Sequence, residues 1–201
     1  MSFLSEILFI PENFSHIANK ILNCTLLLIN NRQHRICEIE FYLNSSFHPD
    51  LYVHGNDDQT KKDTWYFHRY KNGTYKNGTY KGLDIVIGNN DNTKEYGSIL
   101  IRSIFDVDKN KIIEGPCLCV NHILYVCGFD NIISFTKNES LNIINNEHNF
   151  ILVEENKIMP DKILYGSRIG LSEKYPEYRD KKYRYVVGPV KKQCRSLVPL
   201  K

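Results

Sequence analysis

Arg35-Ile36-Cys37-Glu38-Ile39-Glu40-Phe41-Tyr42 is the stretch on which the fold turns. Ile36, Glu38, Glu40 and Tyr42 alternate with Cys37, Ile39, Phe41 and Leu43. A period of two puts the two sets on opposite faces of a β-strand. One face is apolar; the other carries two carboxylates and a tyrosine in a row. The ordinary expectation for such a face is solvent, since a half-buried strand turns its polar side outward. A catalytic expectation depends on what surrounds the strand in the chain.

Working outward toward the N-terminus, Asn30-Asn31-Arg32-Gln33 is a polar turn, and Cys24 to Ile29 is an apolar run that reads as the preceding strand of a hairpin. Before it, Ile17, Ala18, Ile21 and Leu22 fall at helical spacing over Phe14 to Asn23, with Ser15 expected as N-cap. Toward the C-terminus, Asn44 to Lys62 is a long polar loop without periodicity, and it carries His48, Asp50, Tyr52 and His54. Loops of that length in a compact domain are commonly functional or disordered.

Further along, Trp65 to Tyr70, Leu83 to Gly88, Gly97 to Ile104, Phe150 to Val153 and Tyr183 to Val187 read as strands. Ile112 to Pro116 reads as a break before a possible helix from Cys117 to Val126, and Asn131 to Asn149 has no clear pattern. Between the first two of those strands lies a repeat, Tyr70-Lys71-Asn72-Gly73-Thr74 followed by Tyr75-Lys76-Asn77-Gly78-Thr79 and Tyr80-Lys81-Gly82. Its Asn-Gly pairs make tight turns. Its interleaved Tyr and Lys suit nucleic acid, or else it is a slipped duplication in a tolerant loop. Many short strands and few helices give an α+β class: one domain over residues 1–201, a mostly antiparallel curved sheet, and a basic tail over 190–201.

Composition narrows the function classes. The chain has 201 residues, 42% hydrophobic and 24% charged, with a formal charge of +3, which permits a nucleic-acid partner without demanding one. No apolar run is long enough to span a bilayer, and the N-terminus lacks a signal-peptide pattern, so an intracellular, non-membrane protein is expected, nuclear if eukaryotic and otherwise cytoplasmic. The six scattered cysteines are expected as thiols. Cys117-x-Cys119-x-x-His122 with Cys127 nearby lacks the paired spacing of a zinc site, and no metal or cofactor is expected. No phosphate-binding glycine loop and no nucleophile elbow is present.

Several segments, in order, resemble the alkyladenine (methylpurine, 3-methyladenine) DNA glycosylases. Ala18 to Leu28 is similar to that family's opening helix and strand, and Arg35 to Tyr42 to its Arg-Ile-Val-Glu-Thr-Glu-Ala-Tyr strand. Asp50-x-x-x-His54 matches its Asp-x-x-x-His, and Ile99 to Ile104 followed by Glu114-Gly115-Pro116 matches its Leu-Leu-Arg-Ala-Leu segment. Arg168-Ile169-Gly170 and Arg184-Tyr185-Val186 resemble its closing motifs.

The resemblance implies an N-glycosylase that removes a modified purine, an alkylated or deaminated adenine, from DNA as a monomer. Glu40 matches the general base and Arg102 the residue that helps hold the attacking water, with a backbone carbonyl near Val186 as a further contact. Tyr42 and His54 match the walls of the base pocket, and Tyr80 lies one place from the family's duplex-inserted tyrosine. Lys76, Lys81, Arg168 and Arg184 are the expected DNA contacts. The chemistry agrees: N-glycoside hydrolysis passes through an oxocarbenium-like state that a carboxylate stabilises, and a base in a duplex must be flipped out to be reached. Hydrolysis of free purine nucleosides or nucleotides, and a non-catalytic binding module built on the Tyr/Lys repeat, remain the alternatives.

Overall fold

A computed structural model describes residues 7–87, 95–144, 149–155, 161–190 and 196–200. Within these, the strand at the centre of the sequence reading extends at both ends, to Arg32–Asn44 (β2), after β1 at Thr25–Ile29. The turn between them is only Asn30-Asn31, both with positive φ (48° and 62°), a left-handed pair that asparagine tolerates well. The remaining strands are β3 (Thr64–Phe67), β4 (Leu83–Val86), β5 (Tyr96–Asp106), β6 (Lys111–Glu114), β7 (Phe150–Glu154), β8 (Leu164–Gly166), β9 (Arg184–Val186) and β10 (Val198–Pro199). The helices are α1 (Phe14–Asn23), α2 (Pro116–Cys127), α3 (Ile132–Asn138) and the single turn α4 (Pro176–Arg179). The fold is thus α+β, one domain with an open sheet.

All the strand pairs are antiparallel, in the order β10-β8-β9-β2-β5-β4-β3, with β1 joining β2 to β7 and β6 flanking β5. The two longest strands, β2 and β5, are the spine. Period two divides this spine into two faces. Cys37, Ile39, Phe41, Ile99, Ile101, Leu83 and Ile85 enter the apolar core. There α1 lays down Phe14, Ile17, Ala18, Ile21 and Leu22, with the rings of Phe14 and Phe41 stacked 4.3 Å apart. The Phe, Ile and Leu side chains each contribute about 1.5–3 kcal/mol by leaving water, which is ample to hold a ten-residue helix that would not persist alone.

The opposite face carries Glu38, Glu40 and Tyr42, and it is not wet. Glu40 is 0% exposed and Glu38 5%, against the expectation of a solvated side. The loop over 44–62 and the segment over 167–172 fold across this face, an arrangement that strand periodicity does not report.

Local corrections have local causes. Ser15 is not the N-cap: α1 starts at Phe14 behind Pro11, and the Ser15 hydroxyl pairs with that of Tyr185 at 3.2 Å. Ile112 to Glu114 does not break the chain but forms β6, because the preceding turn closes a hairpin through Asn110 at φ 49°. The unpatterned stretch after Asn131 contains α3, started by the Asn131 side chain accepting from the Ser134 amide. Lys191, Lys192 and Arg195 of the basic tail lie outside the described residues, as does Gly88.

Candidate active site

Cross-strand pairing sets the site out in rows. Glu40 on β2 faces Leu100 on β5, which faces Asp84 on β4, which faces Tyr66 on β3. The next row runs Tyr42, Ser98, Val86, Thr64. Directly opposed residues share a face and neighbouring strands stand about 4.8 Å apart, so Glu40 and Asp84 flank Leu100 at roughly 10 Å between backbones.

Arg102 comes to both glutamates through a local distortion. Ile36 opposes Ile104 and Ile39 opposes Ile101, so the register is the same on either side, but between them Glu38 is drawn opposite Ser103. Arg102 is left out of the pairing, and its guanidinium reaches diagonally. Its Nε donates to Glu38 Oε1 at 3.1 Å and its Nη1 to Glu40 Oε2 at 3.3 Å. Such irregularities commonly re-aim a functional side chain.

Glu38 is closed off. Besides Arg102 it accepts from Arg184 Nε at 2.7 Å and the Ser103 hydroxyl at 2.8 Å. Glu40 accepts from the Tyr42 hydroxyl at 2.9 Å and the Ile169 amide at 2.7 Å. Complete burial pushes its pKa up from the usual carboxylate range, against the pull of Arg102, the Ile169 amide and Tyr42 and with a small push from Glu38. Burial also drives the Tyr42 phenol far up, reinforced by Glu40, so Tyr42 donates and does not ionise.

In front of Tyr42 lies a cavity of about 110 Å³, lined by Tyr42, Tyr52, His54, Gln59, His68, Asp84 and Leu171. Loop 44–62 supplies three of these and is pinned at Asp50, whose Oδ2 takes a 2.6 Å bond from Arg168 and whose Oδ1 accepts from the Tyr52 amide. His54 meets the His68 ring at 4.4 Å, and its Nε2 accepts from Lys76 Nζ at 2.9 Å. Burial against this wall, then His68 and Lys76, lower its pKa to about 3 despite Asp84, so His54 is neutral. Burial alone would raise the pKa of Asp84, but the His68 ring, 2.7 Å from Oδ1, and the Ser98 hydroxyl on Oδ2 hold it below the ordinary range. Gln59 in turn donates to Ser98 at 3.0 Å. His68 lies close over Gly82: a Cβ there would stand 2.5 Å from the imidazole.

Glu40, Arg102, Tyr42 and His54 are therefore gathered at one place, the first three by direct bonds and His54 across the cavity. Val186 is adjacent, as the β9 partner of Glu38. Tyr80 is not in this cavity. It is 69% exposed on the turn Gly78–Tyr80, at the rim of a second cleft shared with His68, Leu100 and Lys81.

Two of the expected DNA contacts are corrected. Arg184 is 1% exposed and committed to Glu38. Arg168 is 5% exposed, bonded to Asp50 and to the Phe41 and Tyr178 carbonyls, with its guanidinium 4.5 Å from the Tyr42 ring centre. Both hold the site from behind and cannot reach phosphate. Lys76 is bonded to the His54 ring, and Lys81 lies in the second cleft, bonded to Asn121 of α2.

Gln59, His68, Asp84 and Ser98 were not singled out in the sequence. Asp84, a lone carboxylate in an apolar strand, carried the same signal as Glu40. The cysteines do not converge on His122: Cys117 Sγ contacts the Gly78 carbonyl at 3.0 Å and Cys119 Sγ the Ile113 carbonyl at 3.7 Å.

Fold and site define an α+β domain with a buried carboxylate–arginine centre behind a small aromatic and imidazole-lined cavity. No family model matches the chain. It is 43% identical to uncharacterized protein L759 of Acanthamoeba polyphaga mimivirus, over 94% of this chain and 93% of that protein, and it belongs to the same family.

Proposed function

We propose that the chain is an N-glycosylase that releases a modified purine from DNA by hydrolysis, with Glu40 as general base. The observation that carries this reading is Glu40 itself: wholly buried, raised in pKa, bonded to Arg102 and Tyr42, and directly behind the cavity wall. A carboxylate whose pKa is raised is a stronger base toward water than an ordinary one.

In the proposed step the water oxygen bonds to the anomeric carbon as the bond to the purine nitrogen breaks. The bond's electron pair leaves with the base, Glu40 takes the water proton, and the carboxylate opposes positive charge developing on the sugar. Tyr42, Tyr52 and neutral His54 present ring surfaces and hydrogen-bonding atoms to a flipped base. In this reading Tyr80, 69% exposed at the rim of the neighbouring cleft, is the side chain that would fill the gap left by the base, and Lys76 and Lys81 would exchange their contacts with His54 and Asn121 for phosphate.

Duplexes carrying hypoxanthine or an alkylated adenine test this. Abasic product is expected from the wild type, with Glu40→Gln slower by about 10²–10⁴. No product above that variant overturns the DNA reading. Base release from free nucleosides but not from DNA selects the nucleoside hydrolase instead.

A further inference from the structure

At the far end of β2 from Tyr42, three ligand-type side chains converge. His34 on β2 and Asp106 on β5 are a direct cross-strand pair, and His122 reaches them from α2. The two imidazole Nε2 atoms are 2.9 Å apart, and each is 3.7 Å from Asp106 Oδ2. A point equidistant from the corners of that triangle lies about 2.0 Å from each, the bond length of zinc to histidine nitrogen or carboxylate oxygen.

We propose that His34, Asp106 and His122 bind one divalent transition-metal ion of the zinc type, clipping α2 to the ends of β2 and β5.

The surroundings prepare the donors. His34 Nδ1 lies 3.1 Å from the Arg32 carbonyl, a bond in which the ring donates and leaves the Nε2 lone pair facing the triangle. Asp106 is fixed by the Lys109 amide on Oδ1 and by Arg32 on Oδ2 at 2.6 Å, so one lone pair of Oδ2 is taken and another remains for a cation. Without the ion, the 2.9 Å contact between the two Nε2 atoms is a hydrogen bond, and an ion bound between them would replace its proton, which is released to solvent. Asp106 and Asp108 offset Arg32 and Lys111 among the charges facing the pair. His34 is buried, whereas the His122 side chain is 16% exposed and borders a cleft with Lys111, Glu114 and Leu118, through which an ion and a fourth ligand would enter. Two imidazoles and a carboxylate favour zinc, cobalt, nickel or copper over magnesium or calcium. Binding in tetrahedral geometry opens the 2.9 Å histidine pair and closes the two 3.7 Å edges by a few tenths of an ångström each, toward edges of roughly 3.3 Å, with the ion slightly out of the plane of the three donors on the side of the fourth ligand.

Full-length protein stripped with chelator and titrated with zinc chloride is expected to take up one equivalent and to melt at a temperature that climbs with zinc concentration. His122→Asn, at the most accessible ligand, is expected to weaken uptake more than about 100-fold, beyond what outer-shell changes do. Cys117→Ser/Cys127→Ser is expected to bind as the wild type does. Failure of the folded wild type to take up zinc, or equal uptake by His122→Asn, overturns the site. Should His122→Asn not fold, ring-nitrogen NMR of the wild type decides: zinc must move the His34 and His122 signals, and unmoved signals overturn it.

Discussion

Glu38 and Glu40 stand two residues apart on one face of β2, both buried and both touching Arg102. Their other partners differ. Glu38 has a second arginine and a serine; Glu40 has a phenol and a backbone amide, and it sits behind a cavity wall. A buried carboxylate held by two arginines and a hydroxyl ties three strands together and serves cohesion. One with a shared cation and neutral donors is left with a raised pKa, which is what proton transfer requires. Burial is common to both carboxylates; the partners around them are what set the two apart.

Substitution can break this contrast. Under the proposed reading Glu40→Gln costs about 10²–10⁴ in rate, while leaving Arg102 paired with Glu38 and the fold intact by circular dichroism. Glu38→Gln reverses the pattern: it strands Arg184 without its carboxylate and is expected to cost about 3–5 kcal/mol in denaturant unfolding. Equal stability losses in the two variants would erase the distinction.

Tyr42→Phe sharpens it. Removing a bond to the charged form raises the Glu40 pKa further, so the acidic limb of the pH–rate profile moves to higher pH. Glu38→Gln moves the same limb to lower pH, because it removes a like charge. The smallest expected effect is on stability against pH. The pKa values of His54 and His48 are both depressed, His54 to about 3. Below their ordinary 6.5 the unfolded chain takes up protons that the folded chain refuses, so the melting temperature falls as pH drops from about 6.5 toward 3. His54 is flanked there by His68, Asp84 and Lys76, and His48 by Asp50, Lys181, Arg168 and Glu12. His54→Gln should flatten the slope.

Strand periodicity and turn chemistry were enough to place α1, the β1–β2 hairpin, β5 and β7, because in each the burial pattern and the local propensity agree. β6 and α3 escaped because one is a four-residue flank and the other is defined chiefly by its asparagine cap. The grouping of Glu40, Tyr42 and Arg102 was legible, since all three lie on the spine strands. What was not legible is which arginines are buried. Arg168 and Arg184 carry the same letter as a phosphate contact, and only the fold of loop 44–62 over Arg168 decides its role. The wet-face expectation failed for the same reason: a covering loop leaves no period in the strand it covers.

Gly82 has one more consequence. Because a methyl group there would press on the His68 ring, the position of one wall of the cavity depends on an atom that is missing. Alanine at that position would force the imidazole to shift, so the cavity can be reshaped from outside it, with every residue in its lining unchanged.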